Sequence, residues 1–277
     1  MIKLFCSDLD GTLLIDNRID KLTGTKIKEL EATGVKIAFV SGRVYSSIDY
    51  LSKNAGINPY IIANNGALLK DPEGNTIFEK TLDIDILEKL IKYAERNDFH
   101  YHAYGLDTFY SNSINDKYLK HLLVSSNKYD KKYQVNVLSH NNLSKYIRKN
   151  NIKIYKIQYI PNHKEDINRV YDDIKKFNGI NITQSGEFNL EIMNKDVDKW
   201  HSIEELAKYL KIDNSEVSTM GDYKNDLKMI ESSGFGIAMG NGLDVVKKAS
   251  DFVTKSNIEH GGAYAIDEIM RINSLNV

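Results

Sequence analysis

The sequence has little of several features that would mark a particular class of protein. Its 277 residues include a single cysteine, Cys6, so no disulfide can form within the chain, which suits a reducing compartment. The formal net charge is only -1, so no broad electrostatic field is available to bind nucleic acid or an anionic membrane. No apolar run approaches the roughly 20 residues of a membrane-spanning helix. We therefore expect a cytoplasmic protein without nucleic-acid or membrane partners.

Internal repeats and low-complexity tracts are also missing, while 42% hydrophobic residues supply material for a packed core. What recurs is an alternation of short apolar runs with amphipathic stretches. Residues 2–7, 35–40 and 60–63 read as strands with helices between them, and residues 200–254 resume the same order. Strands that alternate with helices pair in parallel, which predicts an α/β protein with a doubly wound, Rossmann-like sheet.

The middle of the chain follows a different pattern. Residues 83–97 form a predicted helix, and residues 153–160 alternate between apolar and polar with period two. Such alternation is typical of an antiparallel sheet that is covered on one face only. We therefore expect an inserted α+β unit at residues 82–185, and a core made of residues 1–81 and 186–277.

Two aspartates follow the first predicted strand, in the run Asp8-Leu9-Asp10-Gly11-Thr12-Leu13-Leu14. Open α/β sheets place ligands at this end of a strand, and two acids there are costly unless a cation such as Mg²⁺ neutralises them. Asp8, held against a metal-bound phosphoryl group, could attack it and form an acyl phosphate. Asp10 could then protonate the leaving oxygen and later deprotonate water. The alternative is an acidic turn without chemistry.

This run, with the strand before it, resembles the first motif of the haloacid dehalogenase superfamily. The presence of Asp10 favours the phosphotransferase branches of the family. The resemblance implies that Asp8 is the nucleophile and Asp10 the acid and base. It also implies that Mg²⁺ is held by Asp8, the backbone carbonyl of Asp10, and Asp222.

Ser41, Gly42 and Arg43 end the second strand and resemble the family's second motif. A hydroxyl and a backbone N–H beside glycine can hold phosphoryl oxygens. Arg43 could clamp a second anionic group of the substrate. A second interpretation, compatible with the first, is that Ser41 caps the following helix.

The segment 221–230 follows a strand, opens a helix and resembles the family's fourth motif. The resemblance implies that Asp222 binds Mg²⁺, that Asn225 contacts the phosphoryl group and that Asp226 supports the metal site. Capping of the helix by Asp222 is the alternative, but it would not explain Asp226.

The family's third motif is a lysine that balances the charge of nucleophile and phosphate. Spacing points to Lys199 at the start of a helix, with Lys195 as the other candidate. The usual neighbour of this lysine is glycine, and Trp200 stands there instead.

Further stretches resemble the Cof-type, or type IIB, subfamily: residues 63–67, 235–242 and 253–262. The motifs lie in order across residues 5–265. The insert has no motif of its own, but its size and position fit the type IIB cap. The cap would close over the site and select the substrate.

Two weaker features of the insert have mainly structural interpretations. His100 and His102 share one face of a predicted strand, as metal ligands could, but packing or surface positions are favoured because no third ligand is near. The aromatic residues could line a pocket, although a role in the core of the cap is favoured. They are Tyr101, Tyr104, Phe109 and Tyr110. Cys6 is expected to be a buried apolar residue, not a nucleophile.

These observations favour a Mg²⁺-dependent phosphatase of small phosphorylated metabolites, working as a monomer or weak homodimer. A phosphomutase or phosphotransferase using the same aspartyl-phosphate stays open, because the acceptor depends on the fit of the cap. A catalytically silent phosphometabolite-binding protein is the third possibility. The substrate itself is not encoded in any recognised motif.

Overall fold

The structure, a computed structural model, describes residues 1–112, 134 and 136–275. In chain order, the strands within these residues are β1 (Leu4–Ser7), β2 (Leu14–Ile15), β3 (Arg18–Ile19), β4 (Lys36–Val40), β5 (Tyr60–Ala63), β6 (Leu68–Lys70), β7 (Thr76–Glu79), β8 (His100–Tyr104), β9 (Thr108–Ser111), β10 (Asn136–Ser139), β11 (Lys156–Ile160), β12 (Ile180–Thr183), β13 (Leu190–Asn194), β14 (Val217–Gly221), β15 (Phe235–Ala238) and β16 (Phe252–Val253). The α-helices of the same residues are α1 (Lys21–Ala32), α2 (Tyr45–Asn54), α3 (Ile84–Arg96), α4 (Leu143–Lys149), α5 (Asp166–Ile174), α6 (Lys199–Leu210), α7 (Leu227–Ser232), α8 (Asp244–Ala249) and α9 (Gly261–Ser274). Short 3₁₀ turns occupy Asn64–Gly66, Asn214–Glu216, Lys224–Asp226 and Asn257–Glu259.

The larger sheet contains the strands that the sequence predicts to be parallel. Among the described residues its order is β16-β15-β14-β1-β4-β5-β6-β7. Neighbours from β16 to β5 are parallel, and β6 and β7 add an antiparallel hairpin at one edge. Helices cover both faces: Phe5 packs in one cluster with Ile266 of α9, and Leu4 packs in another with Ile203 of α6. The predicted doubly wound, Rossmann-like sheet is confirmed.

Aspartate caps fix where several helices begin. Asp20 accepts hydrogen bonds from two backbone N–H groups of α1, and Asp83 does the same for α3. Asp198 accepts from the backbone N–H of His201 at 2.7 Å and so starts α6. This cap also fixes the position from which the side chain of Lys199, the first residue of α6, extends.

A smaller, mostly antiparallel sheet runs in the order β10-β9-β8-β11-β13-β12 within the described residues. Leu87 of α3, Ile147 of α4 and Val170 of α5 pack with Ile157 of β11 in its core. An α+β unit between β7 and α6 therefore agrees with the type IIB resemblance. None of the described helices is both long and apolar enough to cross a membrane.

Two features of this sheet differ from the sequence-based expectation. The insert was expected to end at residue 185, but β13 (Leu190–Asn194) pairs with β11 and β12 and therefore lies in the smaller sheet. Because β13 is close in sequence to Lys199, which belongs to a core motif, the sequence assigned it to the core. Its pairing partners, however, lie in the insert. The polar face of β11 was expected to be exposed to solvent. Lys156 on this face is only 1% exposed, because it faces the loops of the larger sheet.

Candidate active site

The carboxyl ends of neighbouring parallel strands form the base of the site. β1 pairs with β14 so that Ser7 lies beside Met220, and the backbone N–H of Asp8 donates to the Met220 carbonyl at 2.9 Å. Gly11 then turns the chain with φ of +78°. A Cβ at this position would lie 2.4 Å from Oδ2 of Asp222, so glycine alone fits. The turn holds the acidic segment against Asp222.

Asp8 and Lys199 form a buried ion pair at the centre of the site. The Nζ of Lys199 lies 2.6 Å from Oδ1 of Asp8 and 2.5 Å from Oδ1 of Asp226. Burial raises the pKa of Asp8 well above its ordinary value, and the Lys199 ammonium opposes this rise. Burial lowers the pKa of Lys199, but Asp226 and Asp8 outweigh it and raise this pKa. The ammonium therefore stays charged and balances only part of the surrounding acid.

Three carboxylates surround the Lys199 ammonium and together carry more negative charge than it can balance. Oxygen atoms of Asp8, Asp222 and Asp226 lie within 4.8 Å of one another. The hydroxyl of Thr12 donates to Oδ1 of Asp222 at 2.8 Å and orients it. Burial, followed by the charge of Asp226, raises the pKa of Asp222 to about 6. A crowded set of hard oxygen ligands with excess negative charge fits a hard divalent cation.

Asp226 has additional hydrogen bonds that distinguish it from the other two acids. Its Oδ2 accepts from the backbone N–H groups of Asp222 at 2.9 Å and Tyr223 at 3.0 Å. Its Oδ1 binds Lys199, and the residue is fully buried. Asp226 thus holds both the loop of Asp222 and the ammonium, while the alternative of Asp222 as a helix cap does not occur, since the turn 224–226 follows Tyr223.

The side chain of Asp10 binds Arg43 instead of joining this carboxylate cluster. Arg43 donates from Nε to Oδ2 at 2.7 Å and from Nη2 to Oδ1 at 2.5 Å, a bidentate arrangement. The same guanidinium also donates to Asn17 at 3.1 Å and Ser47 at 3.3 Å. The expected clamp on a second substrate anion is therefore not its arrangement here, because its donors already bind groups of this chain.

Ser41 and Gly42 lie beside this pair, in the loop that follows β4. The hydroxyl of Ser41 accepts from the backbone N–H of Arg43 at 3.2 Å. Helix α2 starts after Val44, so Ser41 is not its cap, contrary to the alternative interpretation. The carbonyl of Gly42 accepts from Nζ of Lys156 at 2.8 Å.

Between the two candidate lysines of the third motif, the structure brings Lys199 to the site. Lys195 is exposed, after β13. Trp200 is 5% exposed and packs in the core with Ile203, so a bulky residue fits beside Lys199.

Asn225 lies at the edge of a cavity of about 270 Å³ between the two sheets. Its Nδ2 lies 3.5 Å from Oδ1 of Asn65. The other residues that line the cavity come from the smaller sheet and from turns and helices of the core: Asn65, Asn181, Ile182, Thr183, Met193, Asp198, Lys199, Lys224 and Lys228. The cavity therefore opens beside the ammonium that binds Asp8.

Comparison with known proteins agrees with this arrangement. A family model described as haloacid dehalogenase-like hydrolase matches residues 5–266. This chain belongs to that family. It is 31% identical over 277 residues to YxeH of Bacillus subtilis, covering 98% of this chain and 99% of that protein. It is 24% identical over 285 residues to phosphatase YwpJ of the same organism, covering 97% of this chain and 100% of YwpJ.

A haloacid dehalogenase-like hydrolase from B. subtilis has the same fold. Its solved structure matches with a TM-score of 0.87 and 25% identity, over 96% of this chain and 99% of that one. The family resemblance predicted from the motifs is confirmed, and with it the expectation that this chain is an enzyme of the hydrolase class.

The weaker candidates do not belong to the acidic cluster, which contains Asp8, Asp222 and Asp226. Burial raises the pKa of the Cys6 thiol, which makes it a poor nucleophile. Neither His100 nor His102 belongs to a potential metal group within the described residues. Tyr101 and Tyr110 pack in the core of the smaller sheet, as favoured. Tyr104 and Phe109 form a separate small cluster beside Val44.

Three polar residues at this site were not identified as functional from the sequence. Lys156 and Glu191 form a buried ion pair under the loop of Gly42, and Asn65 donates to Glu191 at 2.9 Å. Asn65 belongs to a recognised turn motif, but that motif does not indicate its partner. The only signal for Lys156 in the sequence was its polar position in an alternating strand. Alternation predicts which face of the strand a residue lies on, but not which part of the protein covers that face.

Proposed function

We propose that this chain is a Mg²⁺-dependent phosphatase of small phosphorylated metabolites that works through an aspartyl-phosphate on Asp8. The supporting observation is the Asp8 carboxylate, which is grouped with Asp222 and Asp226 and lies 2.6 Å from Nζ of Lys199, a residue that lines the cavity. Relatives such as phosphatase YwpJ support hydrolysis of a phosphate ester.

In the proposed reaction, Asp8 attacks the phosphorus and the ester oxygen leaves. Lys199, Ser41 and Asn225 would contact the phosphoryl oxygens, where charge is spread in the transition state. Asp10 gives a proton to the leaving oxygen and then takes one from water, which attacks the acyl phosphate. In the structure Arg43 holds both oxygens of the Asp10 carboxylate, so Asp10 has to leave this pair to carry a proton to the leaving oxygen.

Asp8 and Asp222, with the backbone carbonyl of Asp10, would hold the Mg²⁺ ion. Asp226 would support them through its bonds to the Asp222 loop and Lys199. When bound, Mg²⁺ supplies charge neutralisation between the carboxylates and the phosphate. The raised pKa values of Asp8 and Asp222 fit such a role, since a cation replaces the protons that burial favours.

The smaller sheet is proposed to act as the cap that selects the substrate. We place the cap at residues 82–194, because β13 belongs to its sheet. Asn181 and Thr183 of β12 face the same cavity as Lys224 and Lys228 of the core. A cavity of about 270 Å³ with this polar lining suits a small hydroxylated leaving group.

The test is phosphate release from a panel of phosphorylated metabolites, with Mg²⁺ or with a chelator. We expect release that requires Mg²⁺ and is lost in Asp8→Asn. Phosphorus NMR of the products separates the alternatives: inorganic phosphate supports hydrolysis, and a phosphorylated isomer indicates a phosphomutase. Tight stoichiometric binding without turnover indicates a silent binding protein, and release insensitive both to chelation and to Asp8→Asn excludes this mechanism.

A further inference from the structure

A buried ion pair from the smaller sheet contacts two loops of the core. Lys156 of β11 and Glu191 of β13 bind each other, and their side chains are 1% and 2% exposed. Lys156 Nζ donates to the Gly42 carbonyl at 2.8 Å and lies 4.1 Å from the centroid of the Tyr104 ring. Glu191 Oε2 accepts from Nδ2 of Asn65 at 2.9 Å. Each charge therefore binds one core loop as well as its partner.

The two core loops are also bonded to each other. The backbone N–H of Asn65 donates to the Ser41 carbonyl at 3.0 Å, and that of Asn64 donates to the Arg43 carbonyl at 2.9 Å. Asn64, Asn65 and Gly66 have successive φ values of 52°, 55° and 105°. Asparagines in this left-handed region are strained and persist where surrounding contacts hold them. The Glu191 carboxylate supplies one such contact from the smaller sheet.

The electrostatics of the pair indicate a role in geometry more than in stability. Burial raises the pKa of Glu191, but Lys156, Asn65 and Ser185 outweigh it and lower this pKa, so the carboxylate is ionised. A buried ion pair gains little net stability, because desolvation offsets the attraction. Its specific value is the fixed direction of its hydrogen bonds.

We propose that the Lys156–Glu191 pair is a positioning element of the phosphoryl site. It holds Gly42 and Asn65, and through them the loop of Ser41 and the amide that lies beside Asn225. Both charges are on the smaller sheet, so the two loops have these side-chain contacts only while this sheet covers the core. The inference rests on the proposed function, since the positioned groups are those proposed to contact the phosphoryl group.

The main test is the double variant Lys156→Met/Glu191→Leu, in which apolar side chains replace the pair. Such replacements of buried pairs are often neutral for folding, so thermal unfolding should change little. We expect kcat with p-nitrophenyl phosphate to fall about 100-fold with little change in KM, because the loops lose their direction. A folded double variant with the original kcat would overturn the proposal.

Two single variants accompany it. Glu191→Gln keeps the shape and one acceptor, so we expect a smaller fall in kcat, of about tenfold. Its unfolding temperature should fall, because the Lys156 ammonium stays buried without its counter-charge. An unchanged kcat here also counts against positioning. Lys153→Met is the matched control, because it removes another ion pair between the insert and the larger sheet, with Glu79, at an exposed position. It should leave kcat unaltered.

Hydrogen exchange gives a reading that does not depend on turnover. The backbone amides of Asn64 and Asn65 should exchange faster in the double variant than in the unmodified chain. In Lys153→Met their exchange rates should be unchanged. If the unmodified chain releases no phosphate with Mg²⁺, the proposed function fails, and exchange still decides the positioning role. Exchange equal to that of the unmodified chain would overturn it.

Discussion

Asp8 and Asp10 are two residues apart but have different surroundings. Asp8 is 5% exposed and lies against the Lys199 ammonium, whereas the side chain of Asp10 is 54% exposed and is held by Arg43. Two carboxylates in unlike environments can perform separate tasks in one reaction. The buried acid is suited to attack a phosphoryl group beside a cation, and the exposed acid can exchange protons with the leaving group and water.

If Asp10 protonates the leaving group, the loss of rate caused by Asp10→Asn should depend on the chemistry of that group. Alkyl leaving groups need a proton, so their hydrolysis should slow by about 10²–10⁴-fold. Formation of the aspartyl-phosphate from p-nitrophenyl phosphate should slow much less, because p-nitrophenolate leaves without one. Single-turnover rates for a sugar phosphate and p-nitrophenyl phosphate measure the difference. Equal losses with both substrates would contradict a role in leaving-group protonation.

Single residues were predictable where a motif follows a parallel strand. Asp8, Ser41 and Asp222 were identified because the carboxyl ends of such strands meet at one sheet edge. The bond between Asp10 and Arg43 was not, since a motif gives residue types but not side-chain directions. Glu191 was missed for a different reason: its partner Lys156 is distant in sequence.

At the scale of elements, the turn Asn64–Gly66 has little room. Gly66 has φ of +105°, and a Cβ there would lie 2.2 Å from the carbonyl oxygen of Asp198, just before α6. Gly34, between α1 and β4, has φ of +96° but no atom within 4 Å of a Cβ. The two glycines share a backbone conformation and differ in the space around them.

This contrast predicts unequal costs for replacement by alanine. Gly34→Ala should lose about 1 kcal/mol of unfolding free energy from backbone strain alone. Gly66→Ala should lose a further 1–3 kcal/mol or so, because the methyl group displaces the start of α6. Denaturant unfolding of both variants measures the difference. Equal losses would show that the approach of Gly66 to Asp198 is not a constraint.

Helices and strands were predictable where the periodic pattern of apolar and polar residues was clear. The parallel strands β1, β4 and β14 stood out as short apolar runs between helices. Strand β13 lies just before the motif that contains Lys199, and only its pairing with β11 and β12 shows that it belongs to the insert. Pairing between distant strands depends on tertiary packing, which local patterns do not record.

At the scale of the whole molecule, the proposed function assigns chemistry and substrate choice to different sheets. The acidic cluster lies on the larger sheet, while Asn181 and Thr183 come from the smaller one. Lys224 links the two, since its Nζ lies 3.0 Å from Oε1 of Gln184 beyond β12. A cation at this junction can bind the substrate without touching the phosphoryl group.

We predict that Lys224→Met raises KM for the preferred metabolite about tenfold, with kcat unaltered. The loss should be absent with p-nitrophenyl phosphate, whose leaving group offers no hydroxyl or anionic partner. Lys248→Met, at an exposed position of α8, is the matched control. Steady-state kinetics with both substrates checks this, and an equal effect on both would place Lys224 outside substrate selection.

The stability of the whole molecule should depend jointly on Mg²⁺ and pH. The Asp222 pKa is raised to about 6, so the metal-free fold favours the protonated acid and loses stability as pH rises from the ordinary aspartate range to about 6, with little further loss above that value. Mg²⁺ binds the ionised form, so it should raise the unfolding temperature more at about pH 8 than at about pH 5. Thermal unfolding of the unmodified chain and Asp222→Asn tests this. An equal rise at both pH values would argue against the site.

The proposed transfer of the phosphoryl group to Asp8 can be tested directly. The enzyme would be quenched during turnover with Mg²⁺ and a phosphate monoester, reduced with borohydride and analysed by peptide mass spectrometry. We predict the reduced acyl phosphate at position 8, and no such product with chelator or in Asp8→Asn. Phosphate release accompanied by a modified residue elsewhere in the chain, with Asp8 intact, would contradict the proposed mechanism.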